Sequence, residues 1–332
     1  VLIVDTPKMN CRVNYLESEK FSCCFLNLIN SYMRTLSVFT SWHPTGYKKY
    51  GKQFIEGYNN CWPKEVPLTI YAEDHTPETN NPDITVLDQV STLPDLKAWQ
   101  HRHKDNPHAN GWNKDKSKKS FLWDASRFAN KTFALWHFAN TCNTDIFIWC
   151  DGDVRTHTPM TMEFLHSIAP AENQLATYLG RKTWPECGWM MFNRNHPKFQ
   201  EFMEQWRWIY ESDDIFNHVE SHDSFIFGEL VQDFRAVGVD FKDLGSDSAG
   251  GHIFINSVLG AYMDHLKGFR KEVGKSLAGD LQGNFQHRDN EWWGDVRQVT
   301  KSQIRQEKLK NPHEYDADQQ QKSGGIKSWK DR

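Results

Sequence analysis

The segment Asp145-Ile146-Phe147-Ile148-Trp149-Cys150 is an almost unbroken apolar run that stops at Asp151-Gly152-Asp153. A strand with one wet face alternates apolar and polar residues. A run that is apolar throughout is buried on both faces, as strands of helix-covered parallel sheets are. It therefore predicts an interior strand of an α/β sheet. It also delivers two carboxylates to the carboxyl end of that strand, where open α/β sheets place their ligands.

The flanking sequence agrees. Residues 36–40 read as a strand, 41–46 as a turn and 47–61 as a helix with Phe54, Ile55 and Tyr58 on one face. Residues 68–71 read as the next strand, ending in Ala72-Glu73-Asp74. Strand, helix and strand at this spacing form a βαβ unit and imply parallel pairing. Residues 75–119 are polar and rich in Pro, Asn, Asp and Lys, which predicts an irregular insertion with a short helix near 96–101. Helices are expected over 124–140, 197–211 and 221–232, and strands over 175–179 and 189–193. The expected fold class is α/β, a Rossmann-like mixed, mainly parallel sheet flanked by helices.

Three segments are expected: an extension over 1–32, a catalytic domain over 33–280 and a polar peripheral tail over 281–332. The extension carries Cys11, Cys23 and Cys24 without clear periodicity, and Met33 just precedes the first strand. It is read either as upstream sequence outside the native protein or as an extension without order.

Composition narrows the chemistry. Fourteen tryptophans lean towards a carbohydrate or nucleotide ligand, although most are expected in the core. A net charge of −4 argues against a general nucleic-acid binder. Lys114, Lys116, Lys118 and Lys119 form a local basic patch. Seven cysteines without zinc spacing suggest free thiols in a reducing compartment. No stretch reaches the roughly 18 apolar residues that span a bilayer, and no signal-peptide pattern opens the chain. The expectation is a soluble, cytoplasmic protein.

Asp151 and Asp153 offer hard oxygen ligands, which suit Mn²⁺ or Mg²⁺ held together with substrate phosphates. A partner motif lies downstream in His265-Leu266-Lys267-Gly268-Phe269-Arg270-Lys271. His265 is a suitable third ligand, Gly268 lets a backbone N–H approach a phosphate, and Lys271 adds a point charge.

A strand-borne D-x-D followed by H-x-x-G-x-x-K resembles the retaining nucleotide-sugar transferases of glycosyltransferase family 8, the glycogenin and bacterial α-galactosyltransferase group. The chain looks like a distant member over residues 35–275, with Glu272-Val273 where the family motif continues Pro-Trp. The resemblance implies a GT-A fold. It implies Mn²⁺ (or Mg²⁺) on Asp151, Asp153 and His265, and donor diphosphate contacts from Gly268 and Lys271. On the same map Thr40 and Tyr47 fall in the first βα turn, which holds base and ribose. Asp74 ends the second strand, and Arg127 and Lys131 stand at a donor contact one helical turn apart. Glu186, in Pro185-Glu186-Cys187-Gly188, falls in the segment that lines the acceptor side. Asp223 opens a helix, where it either accepts a sugar hydroxyl or caps the helix. Asp153, Glu186 and Asp223 are the catalytic candidates. His252 reads as a loop residue.

The implied activity is metal-dependent transfer of a sugar from a nucleotide-sugar donor, UDP-hexose by default, to an acceptor hydroxyl with retention. The alternatives are a metal-dependent nucleotidyl or phosphoryl transferase and a non-catalytic carbohydrate-binding protein. A glycan, a lipid, a protein or a hydroxymethylated DNA base all remain as acceptors. The last would suit a virus-encoded enzyme.

Overall fold

The computed structural model describes residues 34–245, 252–268, 270–281, 285–294, 296 and 306. The extension expected over 1–32 lies outside the described residues, as does most of 281–332. By contacts the chain divides into residues 1–35 and 36–332. The sheet and the site belong to the second part.

Nine strands are described: β1 Leu36–Trp42, β2 Leu68–Ala72, β3 Ile84–Asp88, β4 Ile146–Cys150, β5 Val154–Thr156, β6 Gln174–Leu179, β7 Glu186–Asn193, β8 Asp240–Asp243 and β9 Met263–His265. Seven form one sheet in the order β3-β2-β1-β4-β7-β6-β8, and β5 and β9 form a separate ribbon. Strands β3, β2, β1 and β4 pair in parallel. Strand β7 runs antiparallel to both neighbours, and β8 pairs parallel with β6. The sheet is thus mixed and mainly parallel, with β7 alone reversed. The longer helices are α1 Lys52–Cys61, α2 Pro94–His103, α3 Ala125–Thr141, α4 Met162–Ile168, α5 Phe199–Glu211 and α6 Asp223–Ala236. None among the described residues is long and apolar enough to cross a membrane.

Strand β4 shows why its sequence is apolar throughout. Phe147 and Trp149 pack into one cluster with Phe133 of α3, Phe202 of α5 and Phe227 of α6. Ile146, Ile148 and Cys150 pack into the other with Phe54, Ile55 and Tyr58 of α1. Alternate side chains leave opposite faces of a strand, so two helical layers require two apolar sets. Each large side chain so buried contributes about 1.5–3 kcal/mol.

Several elements depart from the sequence expectation. The region 75–119 is not wholly irregular: β3 extends the sheet beside β2 with Leu68 opposite Ile84. It is a five-residue edge strand beginning right after the turn-type residues Asn81-Pro82-Asp83, which hide it in composition. Strand β7 begins at Glu186, three residues earlier than expected, and all eight of its residues are buried. Residues 47–51 form a π-helical turn before α1. Within the expected tail, Phe285 and Trp293 are buried in the second cluster.

Candidate metal centre and its cavity

The centre is assembled where β4 ends. Asp151 still pairs with the sheet, its N–H donating to the Gly188 carbonyl at 2.9 Å. The chain then turns, with Val154 N–H donating to Asp151 O at 2.9 Å, and enters β5. Strand β5 pairs antiparallel with β9, and Val154 stands opposite His265. The Leu266 N–H donates to Asp153 O at 2.9 Å. This ribbon brings His265 beside two carboxylates far from it in sequence. Gly152 does not use its conformational freedom here: it is absent from the positive-φ residues. Close approach is what excludes a side chain, because a Cβ at 152 would lie 2.8 Å from Trp42 Cε3 and 3.1 Å from the Ser41 carbonyl.

The donor set suits a hard divalent ion. One ligand atom from each of Asp151, Asp153 and His265 lies within 4.8 Å of the others. His265 Nε2 stands 3.1 Å from Asp153 Oδ1 and 3.6 Å from Asp151 Oδ2. The two carboxylates differ. Burial raises Asp151, and Lys131 only partly offsets it. Burial acts on Asp153 too, but Lys271 and His265 outweigh it and hold that carboxyl well below the usual carboxylate range. Lys271 Nζ lies 3.0 Å from Asp153 Oδ2.

Asp151 is fixed from behind. Trp149 Nε1–H donates to its Oδ1 at 2.6 Å. Lys131 Nζ approaches the same oxygen at 3.2 Å, Asp223 Oδ2 at 2.6 Å and the Cys187 carbonyl at 2.5 Å. An ammonium has three N–H donors, and all three are directed at these protein acceptors. Burial alone would lower the Lys131 amine, but Asp151 and Asp223 raise it above its ordinary value. Asp223 Oδ1 accepts the Ser224 N–H at 2.8 Å.

A cavity of ≈ 650 Å³ opens in front of these groups. Of the residues singled out in the sequence, Asp151, Asp153, Asp223, Arg127, Lys131, Gly268 and Lys271 line it. Gly268 has φ 59°, a conformation that side chains disfavour. Five candidate site residues are outside its lining: His265, which is buried beside the two aspartates, and four others. Thr40 is fully buried. Tyr47 stacks behind Trp42, which does line the cavity, with ring centroids 6.3 Å apart. Asp74 is exposed, and its neighbour Glu73 lines the cavity instead. Glu186 is buried behind His265, its Oε1 3.6 Å from His265 Nδ1. It is ion-paired with Lys267 and, at 3.3 Å, with Arg181. Burial would raise its carboxyl, but Lys267, Arg181 and His265 hold it well below the usual range. His252 is half-buried, and its Nε2–H donates to the His265 carbonyl at 2.8 Å.

Sequence reasoning missed other members of the lining. His43, Lys49, Tyr50, Asp124, Phe128 and Asn130 all face the cavity. Burial, then Asp153, pushes the Tyr50 phenol up to about 12, so it remains a donor at neutral pH. Burial lowers the His43 imidazole, and Arg127, Lys271 and Lys49 lower it further. Lys49, Arg127 and Lys271 thus face the cavity together with the carboxylates, Glu73 and Asp124 among them. Trp149 carried a readable signal, since residues two apart on a strand share a face and Trp149 stands two before Asp151.

No protein-family model matches the chain, and no curated protein does. Among solved structures, mouse xyloside xylosyltransferase 1 (apo form) aligns at 10% identity and TM-score 0.40, covering 65% of this chain and 86% of that one. The glycosyltransferase GlyE of Streptococcus pneumoniae TIGR4 aligns at 11% and TM-score 0.37, covering 62% of this chain and 44% of that one. A glycosyltransferase involved in glycosylation of the major capsid of PBCV-1 aligns at 12% and TM-score 0.33, covering 72% of this chain and 97% of that one. The chain thus spans less than half of the GlyE chain. What this site can do is read from its own side chains.

Proposed function

We propose that the chain is a metal-dependent glycosyltransferase of GT-A type. In this reading it moves a sugar from a nucleotide-sugar donor, UDP-hexose by preference, to an acceptor hydroxyl with retention. The observation that carries the reading is the Asp151–Asp153–His265 cluster at the end of β4, whose two carboxylates line a cavity that Lys49, Arg127 and Lys271 also face. A divalent ion held there would neutralise charge on a departing diphosphate. The chain's own groups fit the same task. Lys271 already rests on Asp153 and faces the cavity, where it can pair with a phosphate oxygen. Arg127 presents a planar donor fork from the rim, and Tyr50 offers a hydroxyl proton. Asp223, held ionised beside Lys131, can accept a sugar hydroxyl. Retention is taken from the family resemblance; inversion would need a carboxylate general base, and of the candidates Glu186 is buried behind His265 and Asp223 is paired with Lys131.

A soluble catalytic domain spanning 33–280, working in a cytoplasm, is part of the same proposal. The test is to incubate purified protein with a panel of nucleotide sugars, with Mn²⁺ or with EDTA, and to follow release of nucleoside diphosphate. Release should require the ion and fall at least about 100-fold in Asp153→Ala and His265→Ala. Release that is indifferent to EDTA and to both substitutions would sink the proposal.

A further inference from the structure

An imidazole gives one nitrogen to a metal only when its other nitrogen carries the proton, and that N–H wants an acceptor. His265 turns Nε2 towards Asp151 and Asp153, so Nδ1 is the nitrogen that must be protonated. Nδ1 is buried and makes no hydrogen bond. A buried donor left so carries a desolvation cost. The group facing it is Glu186 Oε1 at 3.6 Å, a few tenths of an ångström beyond hydrogen-bond reach.

Glu186 is itself held in place. The backbone N–H of Gly188 donates to Oε1 at 3.2 Å. Oε2 is paired with Lys267 and Arg181. Lys267 lies two residues after His265, so this carboxylate also ties the loop that carries the histidine to β7. Gly188 completes the seat. A Cβ there would lie 2.5 Å from His265 Cε1 and 2.7 Å from Nδ1, so the ring rests against bare backbone.

We propose that Glu186, seated by Gly188, is a positioning residue that fixes the His265 ring with Nδ1 protonated and Nε2 directed to the metal centre. The inference rests on the reading of Asp151, Asp153 and His265 as metal ligands. It gives the segment Glu186-Cys187-Gly188 a role on the metal side of the sheet rather than towards an acceptor. A small ring shift on ion binding closes the gap to Oε1, and the resulting hydrogen bond makes Nε2 a stronger donor.

The test uses the full chain. Mn²⁺ is titrated without nucleotide and followed by electron paramagnetic resonance. The proteins are the wild type, Glu186→Gln, and the double variant Glu186→Gln/Lys267→Met. The double variant removes an ion pair together and guards against misfolding caused by an unpaired lysine. Both variants should bind Mn²⁺ about 10–100-fold more weakly. In Zn²⁺-loaded protein the His265 Nδ1–H proton resonance should lie far downfield in the wild type and move upfield in Glu186→Gln. A merely structural glutamate would not move that signal. Wild-type binding matched within about twofold by both variants would overturn the role of Glu186 and leave the metal centre standing. Failure of the wild type itself to bind Mn²⁺ would remove the metal reading, and this inference with it.

Discussion

Lys131 shows what a single residue does here. Its ammonium joins Asp151 at the end of β4, Asp223 at the start of α6 and the Cys187 carbonyl in β7. It also lies 4.8 Å from the centre of the Trp149 ring. At this depth an ion pair gains little over an apolar substitute, but a partner left alone is costly. Lys131→Met leaves Asp223, a largely buried carboxylate, without its cation. We expect a loss of about 3–5 kcal/mol in urea unfolding. An unchanged midpoint would mean that solvent already shares the pair. The sequence places Lys131 correctly on the helix before β4 but not its bonds, because those depend on three elements meeting.

At the scale of elements, the junction of β4 and β5 decides the site. The both-sided burial of β4 is a local property and is legible in its residues. The two aspartates follow from where that strand ends. The pairing of β5 with β9 is not legible, since three-residue strands carry no measurable period. His265 was therefore found through its motif and not through any structural signal. Glu186 behind His265 depends on the antiparallel register of β4 and β7, with Cys150 opposite Trp189, which no local pattern encodes. The edge strand β3 was lost among turn-forming neighbours. A glycine between two aspartates suggests a turn that needs backbone freedom, but φ at Gly152 is not positive, and what excludes a side chain is the approach of β1. That cause yields a prediction. In Gly152→Ala the new methyl meets Trp42 and the Ser41 carbonyl, and backbone cannot yield as a side-chain tip can. The junction must shift, so thermal stability should drop by about 1–3 kcal/mol. Mn²⁺ affinity should fall with it. A variant that binds Mn²⁺ like the wild type would show that the junction tolerates the shift.

On the scale of the whole molecule, the chain sets the two carboxylates of the cluster in the lining of a ≈ 650 Å³ cavity, with His265 buried beside them. Lys49, Arg127 and Lys271 stand around that cavity. Carboxylates alone would repel a diphosphate, and cations alone would need no carboxylates. The combination is complementary to an anion that arrives with a divalent ion. Calorimetric titration of a nucleoside diphosphate into the protein tests this most directly, run with Mn²⁺, with EDTA and with Asp153→Ala. The account predicts binding in the presence of Mn²⁺ and its loss both in EDTA and in the variant. Equal binding under all three conditions, or none with Mn²⁺ present, would contradict it.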